Sequence, residues 1–286
     1  MKKTLIIIGL IITLLSACKT ESPDPPEQTP VLLFKSGFEG DVYIDSTAYE
    51  DNEDYRFIRG KDNETGFSWP INILGATESA LHYIDDDNHQ AVFAALQTVT
   101  GHDGNPTTAL YQQENYNIDV TQCPYEILNI QDGTKDLYIK FRIKLDSASL
   151  FKPDMWRTYF EWKSKEYAAG NGFRLISFIY TDDDGIPYWH FQGDKNPEHP
   201  VWEIDNKEIP VPVNEWFMNE FYWHWSKGED GIVLWKVNGQ IIGEHHGPTT
   251  RNGKPVDFIM IGQIYGDANP KHQWIDDIEI WNTLIE

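Results

Sequence analysis

The feature that most constrains the fold is a run of three short segments in which apolar and polar residues alternate. These segments are Tyr159–Ser164, Phe173–Tyr180 and Tyr188–Gln192. A period of two is typical of β-strands that bury one face and leave the other to solvent. The run therefore predicts adjacent strands of one half-buried sheet.

The two predicted faces differ sharply in composition. Phe160, Trp162, Trp189 and Phe191 share one face. The opposite face carries the polar residues and tyrosines of the three strands, which are Tyr159, Glu161, Lys163, Arg174, Tyr188, His190 and Gln192. Two interpretations stay open: an ordinary solvated face with long side chains, or the floor of a carbohydrate-binding groove.

Similar alternation recurs along the chain and predicts an all-β domain. Thr108–Glu114, Leu137–Leu145 and Phe217–Ser226 alternate in the same way, and Asn238-Gly239 is a strong hairpin signal. His89–Val99 fits either a helix or a buried strand. Many short strands separated by turns predict a two-sheet antiparallel jelly roll, or concanavalin-like sandwich, formed by one domain over residues 31–286.

The N-terminal segment predicts targeting and not fold. Lys2 and Lys3 precede an apolar run that ends in Leu-Ser-Ala-Cys, which resembles the cleavage box of bacterial lipoproteins. We expect residues 1–18 to be a signal peptide with lipidated (palmitoylated) Cys18, followed by a Pro-rich acidic linker over residues 19–30. This predicts a monomeric outer-membrane lipoprotein exposed at the cell surface and held to the membrane by its lipid only.

Composition excludes some partners. The formal net charge of −22 argues against nucleic acid as a partner. It argues only mildly against an acidic polysaccharide, because exposed charges are screened beyond about 10 Å at ~0.1 M salt. The only cysteine besides Cys18 is Cys123, which we expect to be buried or inert.

A longer pattern between Leu137 and Trp281 resembles a known fold. It reads WxxxEFYW, VLWKVNG, IxIGxIYG and WIDDIEIW, in that order. It resembles the concanavalin-like jelly roll, and within it the polysaccharide lyases of the alginate, heparin lyase I and ulvan types. Thr108–Glu114 would be the early catalytic strand, Glu161-Trp162-Lys163 the middle one and Ile259–Tyr265 the late one. A Lys on the middle strand and a Tyr on the late strand make the chain most similar to the compact ulvan lyases.

The resemblance implies cleavage of a uronate-containing polysaccharide by β-elimination, with no cofactor needed for the chemistry. Tyr265 would be base and acid, and Lys163 with Arg174 or His190 would neutralise the uronate. The groove would be lined by Glu161, Gln192, Gln263, Tyr188 and Gln112. Tyr265 as an edge-capping residue and His190 as a structural histidine remain open alternatives.

Two other functions and a metal site are also compatible with the sequence. The protein could bind glycans without cleaving them, through an aromatic platform. Glu203 to Glu208 resembles the Glu-x-Asp-x-x-Glu signature of retaining glycoside hydrolases, although it lies among prolines in a predicted loop. By resemblance, Glu39, Asp41 and Asp277 would bind a structural calcium ion, or they form an acidic surface.

Overall fold

The computed structural model describes most of the chain beyond the N-terminal segment. Among the residues described, no helix has the length and apolarity needed to cross a membrane. The described residues are 28–45, 55–72, 79–82, 92–114, 128–129, 135–147, 150–164, 166–196, 198–254, 256–262, 266 and 271–285.

Within these residues the strands form two large antiparallel sheets and one small one. The larger sheet has eight strands. In spatial order these are β16 (Gln240–His246), β15 (Ile232–Val237), β14 (Trp216–His224), β9 (Asp136–Leu145), β18 (Lys271–Trp281), β7 (Pro106–Glu114) and β6 (Val92–Thr100), with β1 (Leu32–Ser36) also paired to β18.

The second large sheet has six strands and carries the three alternating segments around Trp162, Arg174 and His190. In spatial order these are β13 (Glu198–Asn206), β12 (Pro187–Lys195), β11 (Arg174–Thr181), β10 (Trp156–Ser164), β17 (Val256–Ile261) and β8 (Leu128–Asn129). The small sheet comprises β2 (Tyr43–Asp45), β3 (Tyr55–Lys61), β4 (Ser68–Trp69) and β5 (Ala80–His82).

This architecture confirms the predicted all-β, two-sheet antiparallel jelly roll. It also decides the ambiguous segment His89–Val99, whose residues from Val92 onward form strand β6 and not a helix. Pairing with β7 along its whole length accounts for this, since every residue from Val92 to Thr100 has a cross-strand partner.

Aromatic rings fill the space between the two large sheets. Phe160 of β10 stacks on Phe221 of β14 with ring centroids 3.9 Å apart, and Trp162 stacks on Trp223 at 5.1 Å. Trp189 of β12 is fully buried as well. Each such side chain removes a large apolar area from water, so this layer dominates the stability of the sandwich.

A β-bulge in β10 corrects one part of the predicted face assignment. The register with β11 shifts between Thr158 and Phe160, so Tyr159 points inward and not outward. Tyr159 is fully buried, and its hydroxyl donates a hydrogen bond to Asn219 Oδ1. Strict alternation cannot anticipate an extra residue in one strand, which is what a bulge inserts.

Strand β13 corrects a second expectation, because it forms where the prolines predicted a loop. Trp202 of β13 pairs with Gly193 of β12. A Cβ atom added to Gly193 would lie 2.5 Å from the Trp202 ring, so only glycine leaves room for the indole. Trp202 also stacks on His245 of β16, with centroids 4.5 Å apart, and so joins the two sheets at this edge.

The Tyr159–Asn219 hydrogen bond gives a test of the core. Tyr159→Phe should lower the free energy of unfolding by about 1–3 kcal/mol, because the buried Asn219 amide would lose its hydroxyl donor. Urea denaturation would measure this. Tyr43→Phe is the matched control, since Tyr43 is exposed, and it should change the midpoint little; equal effects of the two substitutions would contradict the assignment.

Candidate active site

The outward face of the six-stranded sheet gathers most of the predicted site residues. Lys163 of β10 lies opposite Arg174 of β11, which lies opposite Asp194 of β12. Gln192 and His190 follow on the same face of β12, because alternate residues of a strand share a face. The side chains thus form a continuous polar row across adjacent strands.

Two buried carboxylates hold the cations of this row. Glu161 is completely buried; it forms an ion pair with Lys163 and lies 3.7 Å from Arg174 Nη1. Arg174 binds Asp194 through Nη2 at 2.7 Å and Nε at 3.0 Å. Glu161 and Asp194 are almost completely buried, whereas 23% of the Lys163 side chain and 20% of the Arg174 side chain face solvent.

Tyr167 belongs to the same cluster although it lies in the turn after β10. Its hydroxyl donates to Asp194 Oδ1 at 2.6 Å. Its ring lies 5.0 Å from Arg174 Cζ and 5.7 Å from Lys163 Nζ, within cation–π range. Burial raises the pKa of Tyr167 above the ordinary tyrosine value, and the hydroxyl is a hydrogen-bond donor to Asp194.

The row continues from Asp194 to His190 through Gln192. The Gln192 amide nitrogen donates to Asp194 Oδ2 at 3.0 Å, which turns its oxygen toward His190 Nε2, also at 3.0 Å. His190 Nδ1 lies 2.6 Å from Asp205 Oδ1. Each ring nitrogen therefore has a polar partner, and the two contacts fix the orientation of the ring.

This geometry changes the expected role of His190. It is 6% exposed and both of its nitrogens are engaged. It also lies four residues along β12 from Asp194, or about 13 Å at about 3.3 Å per residue. His190 is thus placed to orient Gln192, while Lys163 and Arg174 form the cationic end of the face.

One predicted groove residue, Gln112, does not lie on this face. Gln112 is in the eight-stranded sheet, fully buried, and accepts a hydrogen bond of 2.7 Å from Gln273. The expectation that Thr108–Glu114 belongs with the groove strands is therefore wrong, because this segment pairs with β6 and β18. Gln263, Tyr265 and Cys18 lie outside the described residues.

Tyr188 lies at the far end of the polar face. Its ring is 5.9 Å from Tyr180, which in turn lies 4.7 Å from the His190 ring. Lys207 Nζ lies 4.3 Å from the centre of the Tyr188 ring. The face therefore changes from a cationic end to an aromatic end along β11 and β12.

The predicted calcium residues are only partly brought together. Asp41 is exposed, and Asp277 accepts a hydrogen bond of 2.9 Å from Arg142 Nε. Glu39 instead approaches Asp276: the single Thr107 hydroxyl lies 3.1 Å from Glu39 Oε1 and 3.0 Å from Asp276 Oδ2.

The two carboxylates compete for the Thr107 hydroxyl, although Glu39 also accepts hydrogen bonds from the Thr108 backbone N–H at 2.6 Å and the Thr108 hydroxyl at 3.0 Å. One hydroxyl cannot donate to both. Burial, followed by the charge of Asp277, raises the pKa of the Asp276 carboxyl to about 7. Oxygen donors of this kind suit calcium, although the described residues contain no group of three or more His, Cys, Asp or Glu side chains arranged to hold a metal ion.

Comparison with known proteins finds solved structures that superpose on this chain, but no matching family or curated sequence. No protein-family model and no curated protein sequence matches the chain. An alginate lyase, Aly36B, solved with an alginate trisaccharide, superposes with a TM-score of 0.47 and 12% identity, covering 77% of this chain and 97% of its own.

Two further solved structures show the range of these similarities. An endo-β-1,4-glucuronan lyase from Trichoderma reesei has a TM-score of 0.48 and 14% identity, covering 69% of this chain and 92% of its own. An endo-1,3-β-glucanase from Streptomyces sioyaensis has a TM-score of 0.43 and 11% identity, covering 93% and 100%. The named activities are those of these proteins.

The buried carboxylate at the centre of the row gives a second test. Asp194→Asn should lower the free energy of unfolding by at least about 2 kcal/mol, because Asp194 accepts charge-assisted hydrogen bonds from Arg174 and is almost fully buried. Denaturant unfolding would show this as a lower midpoint, with the dependence of the unfolding free energy on denaturant concentration unchanged. Asp205→Asn is the control at the other end of the row, where the side chain is half exposed; a loss as large as that of Asp194→Asn would contradict this ranking.

Proposed function

We propose that the outward face of the six-stranded sheet binds a uronate-containing polysaccharide and that the protein cleaves it by β-elimination. The observation that carries the proposal is the pair Lys163 and Arg174, oriented by buried Glu161 and Asp194 and partly exposed on the same face. Oriented cations of this kind can receive a sugar carboxylate without reorganising, which is the condition for stabilising charge in a transition state.

The reaction needs three functions from the protein. A cation or hydrogen-bond donor at the uronate carboxylate stabilises the charge that develops when the C5–H bond breaks; Lys163 and Arg174 would do this. A base takes the C5 proton. As the C4–C5 double bond forms and the C4–O4 bond breaks, an acid returns a proton to O4.

We assign the base and acid to Tyr265, on the sequence resemblance. β17, whose last residue Ile261 precedes Tyr265 by four positions, is paired with β10 beside Glu161 and Lys163. An ordinary tyrosine has a pKa near 10, so nearby cations would have to lower it for the base role. Ulvan is the substrate that the resemblance implies, and the lipid anchor at Cys18 would place the enzyme on the outer-membrane surface.

The test uses protein lacking residues 1–23, incubated with ulvan, alginate, glucuronan and heparin-type chains. Ultraviolet absorbance should rise with one of these polymers, because β-elimination leaves an unsaturated uronate. Lys163→Ala should lower kcat/KM by about 100-fold or more, and Tyr265→Phe should abolish turnover while binding persists. Lys140→Ala is the matched control: Lys140 also pairs with a glutamate, Glu279 at 2.8 Å, but on the eight-stranded sheet.

The alternative outcome points to a different class of protein. No absorbance change with any polymer, together with retarded migration in a gel containing one of them, would replace the lyase by a non-catalytic glycan-binding lipoprotein. Hydrolysis without an unsaturated product would favour the glycoside hydrolase. Its Glu203 does lie on the groove side of β13, opposite Gln192.

We also propose that calcium binds between Glu39 and Asp276, with a structural role only. This assignment keeps Glu39 from the predicted set and replaces Asp277, which Arg142 already holds. Backbone carbonyl oxygens and water would complete the coordination. The ion would offset the repulsion between two carboxylates that share one hydroxyl.

The calcium proposal predicts a change in thermal stability. Millimolar calcium should raise Tm relative to protein in chelator, because a ligand that binds only the folded state stabilises it. Asp276→Asn should remove most of the shift. Asp103→Asn, which changes an exposed turn aspartate, should leave the shift intact, and a shift that survives Asp276→Asn would disprove the site.

A further inference from the structure

The chain beyond β17 returns to β10 at Gly266. Ile261, the last residue of β17, pairs with Phe160, and Gly266 forms an isolated bridge with Arg157. Between these two pairs lie residues 262–265 on one side and only two residues of β10 on the other. Regular pairing cannot continue through such an interval, because the two sides differ in length. Contacts outside the ladder are then needed to fix it.

Gly262 is fixed by side chains of the other large sheet. Its carbonyl oxygen accepts a hydrogen bond from Gln273 Nε2 of β18. Its φ is +70°, and an added Cβ atom would lie 2.7 Å from Gln273 Nε2 and 2.8 Å from Gln112 Oε1. Glycine adopts this left-handed conformation without strain and leaves room for the two amides. The backbone at Gly262 therefore packs directly on the interior of the eight-stranded sheet.

Gly266 is packed just as closely at the other end of the interval. Its φ is +147°, and an added Cβ atom would lie 2.6 Å from Arg157 Cα. The chain can approach β10 this closely because glycine carries only a hydrogen atom there. The two glycines thus anchor the interval on both large sheets.

One buried network reaches both anchors. Arg157 is completely buried, and its Nη2 donates a hydrogen bond to Gln273 Oε1 at 2.7 Å. Gln273 is also completely buried, and its Nε2 donates to Gln112 Oε1 at 2.7 Å as well as to the Gly262 carbonyl. Arg157 contacts Gly266 through its backbone bridge. Two hydrogen-bonded residues therefore contact the two ends of the same short interval.

The arginine sets the direction of the Gln273 amide. A guanidinium group donates hydrogen bonds and accepts none. Gln273 therefore turns its oxygen toward Arg157 and its nitrogen toward the Gly262 carbonyl. Burying a guanidinium costs free energy that an apolar side chain of similar size would not incur. Packing alone does not account for a charged residue at this position, whereas orientation of the amide does.

We propose that Gln273 and Arg157 are positioning residues for the catalytic tyrosine. They hold the backbone at Gly262 and Gly266 from the interior of the sandwich, and Tyr265 directly precedes the second anchor. Both side chains are completely buried, so they act through the backbone and not on the substrate. This inference rests on the proposed function in assigning the base and acid to Tyr265.

The first test measures the anchoring itself. Gln273→Glu keeps the shape of the side chain and the acceptor for Arg157, but it removes the donor to the Gly262 carbonyl. Amide hydrogen exchange of residues 262–266 should become roughly tenfold faster, the size expected for one lost buried hydrogen bond. If this variant does not fold, Arg157→Met takes its place with the same expectation, because it removes the group that orients the amide.

The second test measures the effect on catalysis. The substrate is whichever of ulvan, alginate, glucuronan and heparin-type chains the wild-type protein cleaves. Gln273→Glu should lower kcat by roughly 100-fold, since displacing a reacting group by about 1 Å can cost that much. KM should change little, because Lys163 and Arg174 are untouched. A purely structural role would instead reduce the amount of folded protein at unchanged kcat.

Two controls separate positioning from a general loss of stability. Gln97→Glu is the same chemical change on the other face of the eight-stranded sheet, where Gln97 Oε1 accepts a hydrogen bond from Trp274 Nε1 at 3.0 Å. Tyr159→Phe removes a buried hydrogen bond to Asn219 from the same core. Both variants should keep wild-type exchange at residues 262–266 and wild-type kcat.

The outcomes distinguish this inference from the proposed function. Unchanged exchange at residues 262–266 in Gln273→Glu would overturn the inference, and so would a raised KM with unchanged kcat. Faster exchange in a protein that cleaves none of the polymers would support the anchoring and contradict only the proposed function.

Discussion

The stacking of aromatic rings between the two large sheets is the interaction on which the candidate site depends. Phe160 and Trp162 are fixed from below by Phe221 and Trp223. In a strand, a residue fixed on one face also fixes the direction of its neighbour on the other. The inward rings thereby set the outward positions of Glu161 and Lys163 without any contact between ring and site.

The polar face adds a second level of order, built from charges that compensate each other. Burying Glu161 and Asp194 costs free energy, which ion pairs and hydrogen bonds to Lys163, Arg174 and Tyr167 offset only in part. A row of this kind contributes little to stability for its size. Its effect is positional, because the buried carboxylates fix the two cations in place.

Much of this arrangement could be predicted from the sequence, since alternation alone assigns faces. The outward positions of Glu161, Lys163, Arg174, His190 and Gln192 follow from it and agree with the strand register. Asp194 was missed because Gly193 reads as the end of a strand. Tyr167 was missed because turns carry no periodic signal.

The other differences between the sequence-based predictions and the structure share a physical cause. The inward rotation of Tyr159 and the burial of Gln112 depend on partners far away in the chain, Asn219 and Gln273. Periodicity describes one strand at a time, so it cannot show which sheet a strand joins or where an extra residue is accommodated.

The close packing of Trp202 on Gly193 limits how this face can be redesigned. Outward positions of β12 have room for a side chain, although hydrogen bonds limit the choice at positions such as Asp194. Any side chain at Gly193 would instead displace the indole, and with it the edge strand that carries Glu203 and Asp205. The absence of a side chain on the inward side of β12 therefore keeps β13 in place, so libraries that vary the outward positions of this sheet should keep this glycine constant.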